Sequence, residues 1–105
     1  MFQLTKRQYK KVCSTIVITN DRNTTLYIGV TSNLVQGIYQ HKNKLIEGFS
    51  ANYNLHKLIY FEQFNDMHNA ILREKRLKKW NRDWKNQLIN ECNPCWVDLY
   101  PSLLR

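Results

Sequence analysis

The spacing of hydrophobic and polar positions changes along the chain, and each change marks an element. Cys13 to Thr19 is a short β-branched run, and Leu26 to Thr31 resumes the same character after the polar cluster Asn20 to Thr24. That pattern predicts a β-hairpin. In its second arm Leu26, Ile28 and Val30 share one face by period two, which puts Tyr27, Gly29 and Thr31 on the other, so Tyr27 points away from the apolar row. Behind a cap at Thr31 or Ser32, the positions Leu34, Ile38 and Leu45 recur at helical spacing, with Gly48 as a stop, and predict a helix over about residues 33–46. The run from Lys57 to Phe64 offers Leu58, Ile59, Tyr60 and Phe61 to both faces and predicts a third strand covered on both sides. Asn65 and Asp66 supply a cap for a second helix over roughly residues 67–80. A third helix follows over about residues 83–91, ended by Asn93 and Pro94. The fold class that results is α+β.

The length of 105 residues fits one domain, read here as a basic arm over residues 1–12 and a single folded unit over residues 13–105. An apolar content of 43% with 13 aromatic residues is enough for one core, which sets disorder aside. Charge changes the picture more. Sixteen basic against eight acidic residues give a formal +8, which favours polyanionic partners: nucleic acid first, an anionic membrane surface second. No apolar run approaches the roughly 18 residues of a membrane span. The basic start of the chain has no apolar block behind it and does not read as a secretory signal. With three cysteines, an odd number, the expectation is a soluble protein of the reducing cytoplasm.

Several residues stand where packing alone would not put them. Met67, Ala70, Ile71 and Leu77 form one stripe of the second helix, and Glu74 falls at its centre. An unpaired buried carboxylate costs several kcal/mol, so this position calls for a cation partner such as Arg73 or Lys78, or a metal ion at the rim of a cleft. In the first helix His41 lies near the direction of Leu34, Ile38 and Leu45, where a histidine is usually a hydrogen-bonded core residue. Gly37, one turn earlier, costs about 1 kcal/mol relative to Ala, so it either relieves crowding or marks a lost side chain. Arg73, Lys75, Arg76, Lys78, Lys79, Arg82 and Lys85 interleave with Trp80 and Trp84. Such a set can neutralise phosphates while an indole stacks on a base, although tryptophans at this spacing more often belong to the core. Cys92 and Cys95 spell CxxC and with Cys13 make three thiols. The motif follows a helix rather than opening one, and no second ligand pair has zinc-like spacing, so metal or redox chemistry there is not expected.

The segment Leu26, Tyr27, Ile28, Gly29, Val30, Thr31, Ser32 resembles the second half of the GIY-YIG nuclease signature. The downstream order of His41, Lys42, Gly48, Phe49, Tyr53, Glu74, Lys79, Trp80, Trp84, Asn93, Pro94 and Trp96 is similar to that of its small single-domain bacterial members, relatives of the excinuclease nuclease domain. The resemblance spans roughly Cys13 to Tyr100. It implies a three-stranded antiparallel sheet flanked by helices, an endonuclease that hydrolyses phosphodiester bonds with one divalent ion, Mg²⁺ or Mn²⁺, and DNA, in repair, as the leading partner. Carried over by position, it implies Tyr27, His41, Glu74 and Asn93 as catalytic residues, with Glu74 the metal ligand. Two positions depart from the family. Ile16 stands where the first half-motif has a tyrosine, and Gly37 stands where the family has an arginine that would hold the scissile phosphate. The resemblance therefore leaves two functions open: a nuclease with a partly degenerate site, in which Arg22 or Arg73 substitutes for the missing cation, or a weak or inactive DNA- or RNA-binding module on the same fold. A protein-interaction module has only the generality that fold does not fix function behind it. The expected geometry is a cleft shared by Tyr27, His41 and Glu74, with a gap beside Gly37.

Overall fold

The computed structural model describes residues 12–44 and 53–105. The basic arm before Val12, Leu45 and the expected stop at Gly48 lie outside them; the first helix itself ends at Lys42, short of the expected residue 46, because Asn43 closes it as C-cap and Lys44 turns to a φ of 55°. The described residues form β1 (Cys13–Thr19), β2 (Leu26–Thr31), α1 (Leu34–Lys42), β3 (Lys57–Phe64), α2 (Met67–Lys79), α3 (Arg82–Cys92) and a short α4 (Tyr100–Leu103). One antiparallel sheet carries the order β2-β1-β3, so β1 is central and β2 is an edge.

The two faces of the sheet are covered by different layers. Ile16 and Ile18 of β1 and Leu58 of β3 are buried with Leu34, Val35 and Ile38 of α1, Leu55 and Leu103, and Tyr27 and Phe61 lean on that cluster. On the other face Val17, Ile28, Ile59 and Tyr60 are buried with Leu77 of α2 and Ile89 of α3, with Leu26, Trp80 and Trp96 at the margin. The alternation read along β2 therefore holds: Ile28 faces α2 and Tyr27 faces α1. The strand is apolar on one side only because the other side carries a tyrosine and a glycine. Between Val17 and Ile18 the register with β3 shifts, which lets Ile59 and Tyr60 share a face. A hydrogen bond from Thr15 Oγ1 to the carbonyl of Ala70, 2.7 Å, ties α2 to the central strand.

Caps explain where the helices start. The cap of α1 is Asn33, which accepts from the Gln36 amide at 3.1 Å, rather than Thr31 or Ser32. Thr31 is instead used in a local turn, with Oγ1 accepting from the Asn33 amide at 3.1 Å. Asp66 caps α2 as expected, and Asn81 caps α3 one residue earlier than its apolar pattern suggests. Among the described residues no helix is long and apolar enough to cross a membrane.

Candidate active site

Tyr27 and His41 meet on the α1 face. Their ring centroids are 5.7 Å apart at an interplanar angle of 53°. The contact follows from the sequence in two steps: period two puts Tyr27 on the α1 side of β2, and the last turn of α1 brings His41 over it. His41 is buried, and burial lowers its pKa from the ordinary imidazole value, so the ring is neutral at pH 7. A neutral imidazole beside a phenol is a competent proton acceptor. The ring of Tyr27 lies over Gly29, where a Cβ would stand only 2.8 Å from Tyr27 Cε1; glycine here gives the ring its seat.

Gly37 is crowded in the same way. A Cβ built on it would meet Thr31 Oγ1 at 2.7 Å and Thr31 Cβ at 3.1 Å. The gap expected beside Gly37 is therefore filled by Thr31, and the glycine relieves crowding where α1 presses on β2. Ile16 is likewise absorbed: it is 1% exposed, sits in the α1-side core, and pairs across the sheet with Gly29. Ile16 and Gly37 are thus both closed in by packing.

Glu74 approaches from the α2 layer. Its flanking residues on the stripe, Ala70 and Leu77, are fully buried against the sheet. Its side chain is 15% exposed and pairs with Lys78 Nζ at 3.3 Å, so the lysine expected as partner is present. Arg73 turns toward β3, where Nε and Nη2 each reach the Glu62 carboxylate at 3.0 Å. Tyr27 and His41 pack on the α1 face of the sheet, whereas Glu74 belongs to α2, which packs on the other face.

The remaining expected site residues divide. Asn93 is a buried cap of α3 whose Nδ2 donates to the carbonyls of Ile59 (3.0 Å) and Val97 (2.9 Å), while Oδ1 accepts from the Val97 amide at 3.2 Å. These bonds join α3 to β3, the edge opposite β2, so Asn93 holds the scaffold together there. Arg73 does not stand in for the missing arginine, because Glu62 engages it bidentately; that hydrogen bonding raises its pKa further. Arg82 is also structural, donating to the carbonyls of Thr24 (3.0 Å) and Asn23 (2.8 Å) and so clamping the hairpin turn to α3. Lys75, Arg76 and Lys79 remain exposed. Lys42, next to His41, is held by Asp98, the His56 carbonyl at 2.9 Å and the ring of Tyr100, 5.1 Å from its centroid.

The sequence reading missed the group around Arg73. Tyr60 donates to the Glu62 carboxylate, and burial together with that carboxylate raises the tyrosine pKa. Arg73 lies 5.3 Å from the Trp80 ring centroid. The available signal was the alternation of β3, which puts Tyr60 and Glu62 on one face. Cys13, Cys92 and Cys95 are free thiols, and no group of three or more metal-ligating side chains occurs among the described residues.

The family model for the GIY-YIG catalytic domain matches residues 13–88, most of the chain. The chain belongs to the GIY-YIG family. A curated relative, the UPF0213 protein CPE1444 of Clostridium perfringens, is 35% identical over 75 residues, which cover 71% of this chain and 81% of the relative. No solved structure matches the chain. The GIY-YIG match contains Tyr27, His41 and Glu74 and ends before Asn93. Membership makes the domain one of nuclease type, directed at nucleic acid.

Proposed function

We propose that the chain is a divalent-metal-dependent endonuclease whose surviving chemistry rests on Tyr27, His41 and Glu74 and whose phosphate clamp is reduced. The observation that carries this reading is the Tyr27–His41 contact, with a buried imidazole kept neutral. His41 takes the proton, directly or through the Tyr27 hydroxyl, from the attacking water, and Tyr27 orients it.

Glu74 fits a single-carboxylate site for Mg²⁺ or Mn²⁺. It is sheltered on an apolar stripe, and its lysine partner is itself half exposed, so the pair can open at little cost. When bound, the ion would supply positive charge for the leaving oxygen. Without an arginine at position 37, turnover should be slow, since loss of one preorganised donor costs about 10² to 10³ in rate. DNA is the favoured substrate, encountered in the cytoplasm. The tight packing at Ile16 and Gly37 favours a second reading, a module that binds nucleic acid without cutting it.

The test is cleavage of labelled duplex, nicked, flapped and single-stranded DNA with Mg²⁺ or Mn²⁺ against chelator. Metal-dependent cleavage that falls at least about 100-fold in Glu74→Ala is expected. Binding without cleavage of any probe would leave the second reading.

A further inference from the structure

Trp80 and Trp84 are treated differently by the fold. Trp80 is half-buried at the margin of the α2-side core, whereas Trp84 is 56% exposed, far more than an indole used only for packing. The two rings meet edge to face with centroids 5.8 Å apart. Together with Gln87, Leu88 and Glu91, one stripe of α3, they line an open groove of about 300 Å³.

The surroundings of the groove are charged in a particular order. Arg76, one turn before Trp80 on the same flank of α2 as Arg73, is exposed, and Arg73 itself lies over the Trp80 ring. Glu91 lines the groove, and a carboxylate there repels a phosphate but can accept from the amino groups of a nucleobase. A strand laid across this surface would therefore place its phosphates at the Arg76 end and turn a base toward the indoles. In a duplex the bases are stacked on each other and unavailable. We propose that the Trp80–Trp84 groove receives an unpaired base, so that the nucleic acid this chain engages includes a single-stranded segment.

The proposal rests on the reading of the chain as one that acts on nucleic acid, and deepens it by naming the form of the substrate. Base stacking on an exposed aromatic is sequence-tolerant and supports affinity for single strands. The test measures tryptophan fluorescence quenching and affinity with a 20-nucleotide single strand, an abasic strand of equal length and charge, and the matching duplex, for wild type, Trp84→Phe and Trp84→Ala. Affinity for the single strand should fall about tenfold in Trp84→Ala and much less in Trp84→Phe. The abasic strand and duplex should be insensitive to both changes. Equal affinity of wild type and Trp84→Ala for the single strand overturns the proposal while leaving the nuclease reading intact. A change in oligomeric state in Trp84→Ala without that loss overturns it in favour of a protein contact. If no probe is bound at low salt, the proposal and the nucleic-acid reading fall together. Circular dichroism of the variants separates misfolding from loss of stacking.

Discussion

The two helical layers treat their chemically expected positions in opposite ways. On the α1 side, Ile16 and Gly37, where the sequence resemblance leads one to expect a tyrosine and an arginine, are both sealed: Ile16 is in the core and Gly37 is pressed against Thr31. On the α2 side, Glu74 keeps its carboxylate on an apolar stripe, with one exposed lysine for company. Where an expected polar group is absent, packing occupies the space. At Glu74 the fold instead shelters a carboxylate whose lysine partner is largely in solvent.

The difference predicts how each layer responds to substitution. Gly37→Arg should not restore a missing cation; it should drive a side chain into Thr31. The expected cost is about 1–3 kcal/mol, read from the urea midpoint, even though leaving glycine gains helix propensity. Adding Thr31→Ala should recover part of it. An equally or more stable Gly37→Arg protein would show that the α1 side is open after all.

The next largest effect should come from Glu62→Ala, which leaves the Arg73 guanidinium half-buried without its bidentate partner. A loss of about 1–2 kcal/mol is expected in the same measurement. Lys78→Ala, which breaks the pair on Glu74, should cost no more than about 0.5 kcal/mol, because that ammonium is largely in solvent. Reversal of this order would mean that the Glu74–Lys78 pair is a structural bridge and not a replaceable contact.

These contrasts also show what the sequence could reveal. The strands were legible because β-branched runs of period two have few alternatives, and both hairpin arms and β3 fall where that pattern puts them. The contact of Tyr27 with His41 followed from strand alternation and one helical turn. The meaning of Gly37 did not, because its neighbour Thr31 sits six residues away in another element, and only the approach of α1 to β2 brings them together. Asn93 shows a different limit: a polar residue after a helix carries the same letter whether it serves a site or caps the helix, and only the structure shows its three hydrogen bonds to the scaffold. The basic cluster between Arg73 and Lys85 looked uniform in sequence. The fold spends Arg73 and Arg82 on Glu62 and the hairpin turn, because each lies on a helix flank that faces another element. The final short helix α4 escaped notice because four residues containing a proline carry no periodicity.

The central claim is that catalysis survives in a neutral His41 beside Tyr27 after the α1 side has lost its other groups. Its most direct test is the pH dependence of single-turnover DNA cleavage with Mg²⁺. Burial lowers the His41 pKa from 6.5, so protonation should silence the base only on the acidic side of that value. The account predicts a rate that holds from neutral pH down past 6.5 and then falls, with that limb and most of the activity absent in His41→Ala. A His41→Ala protein that cleaves at the parental rate with the same acidic limb would contradict it.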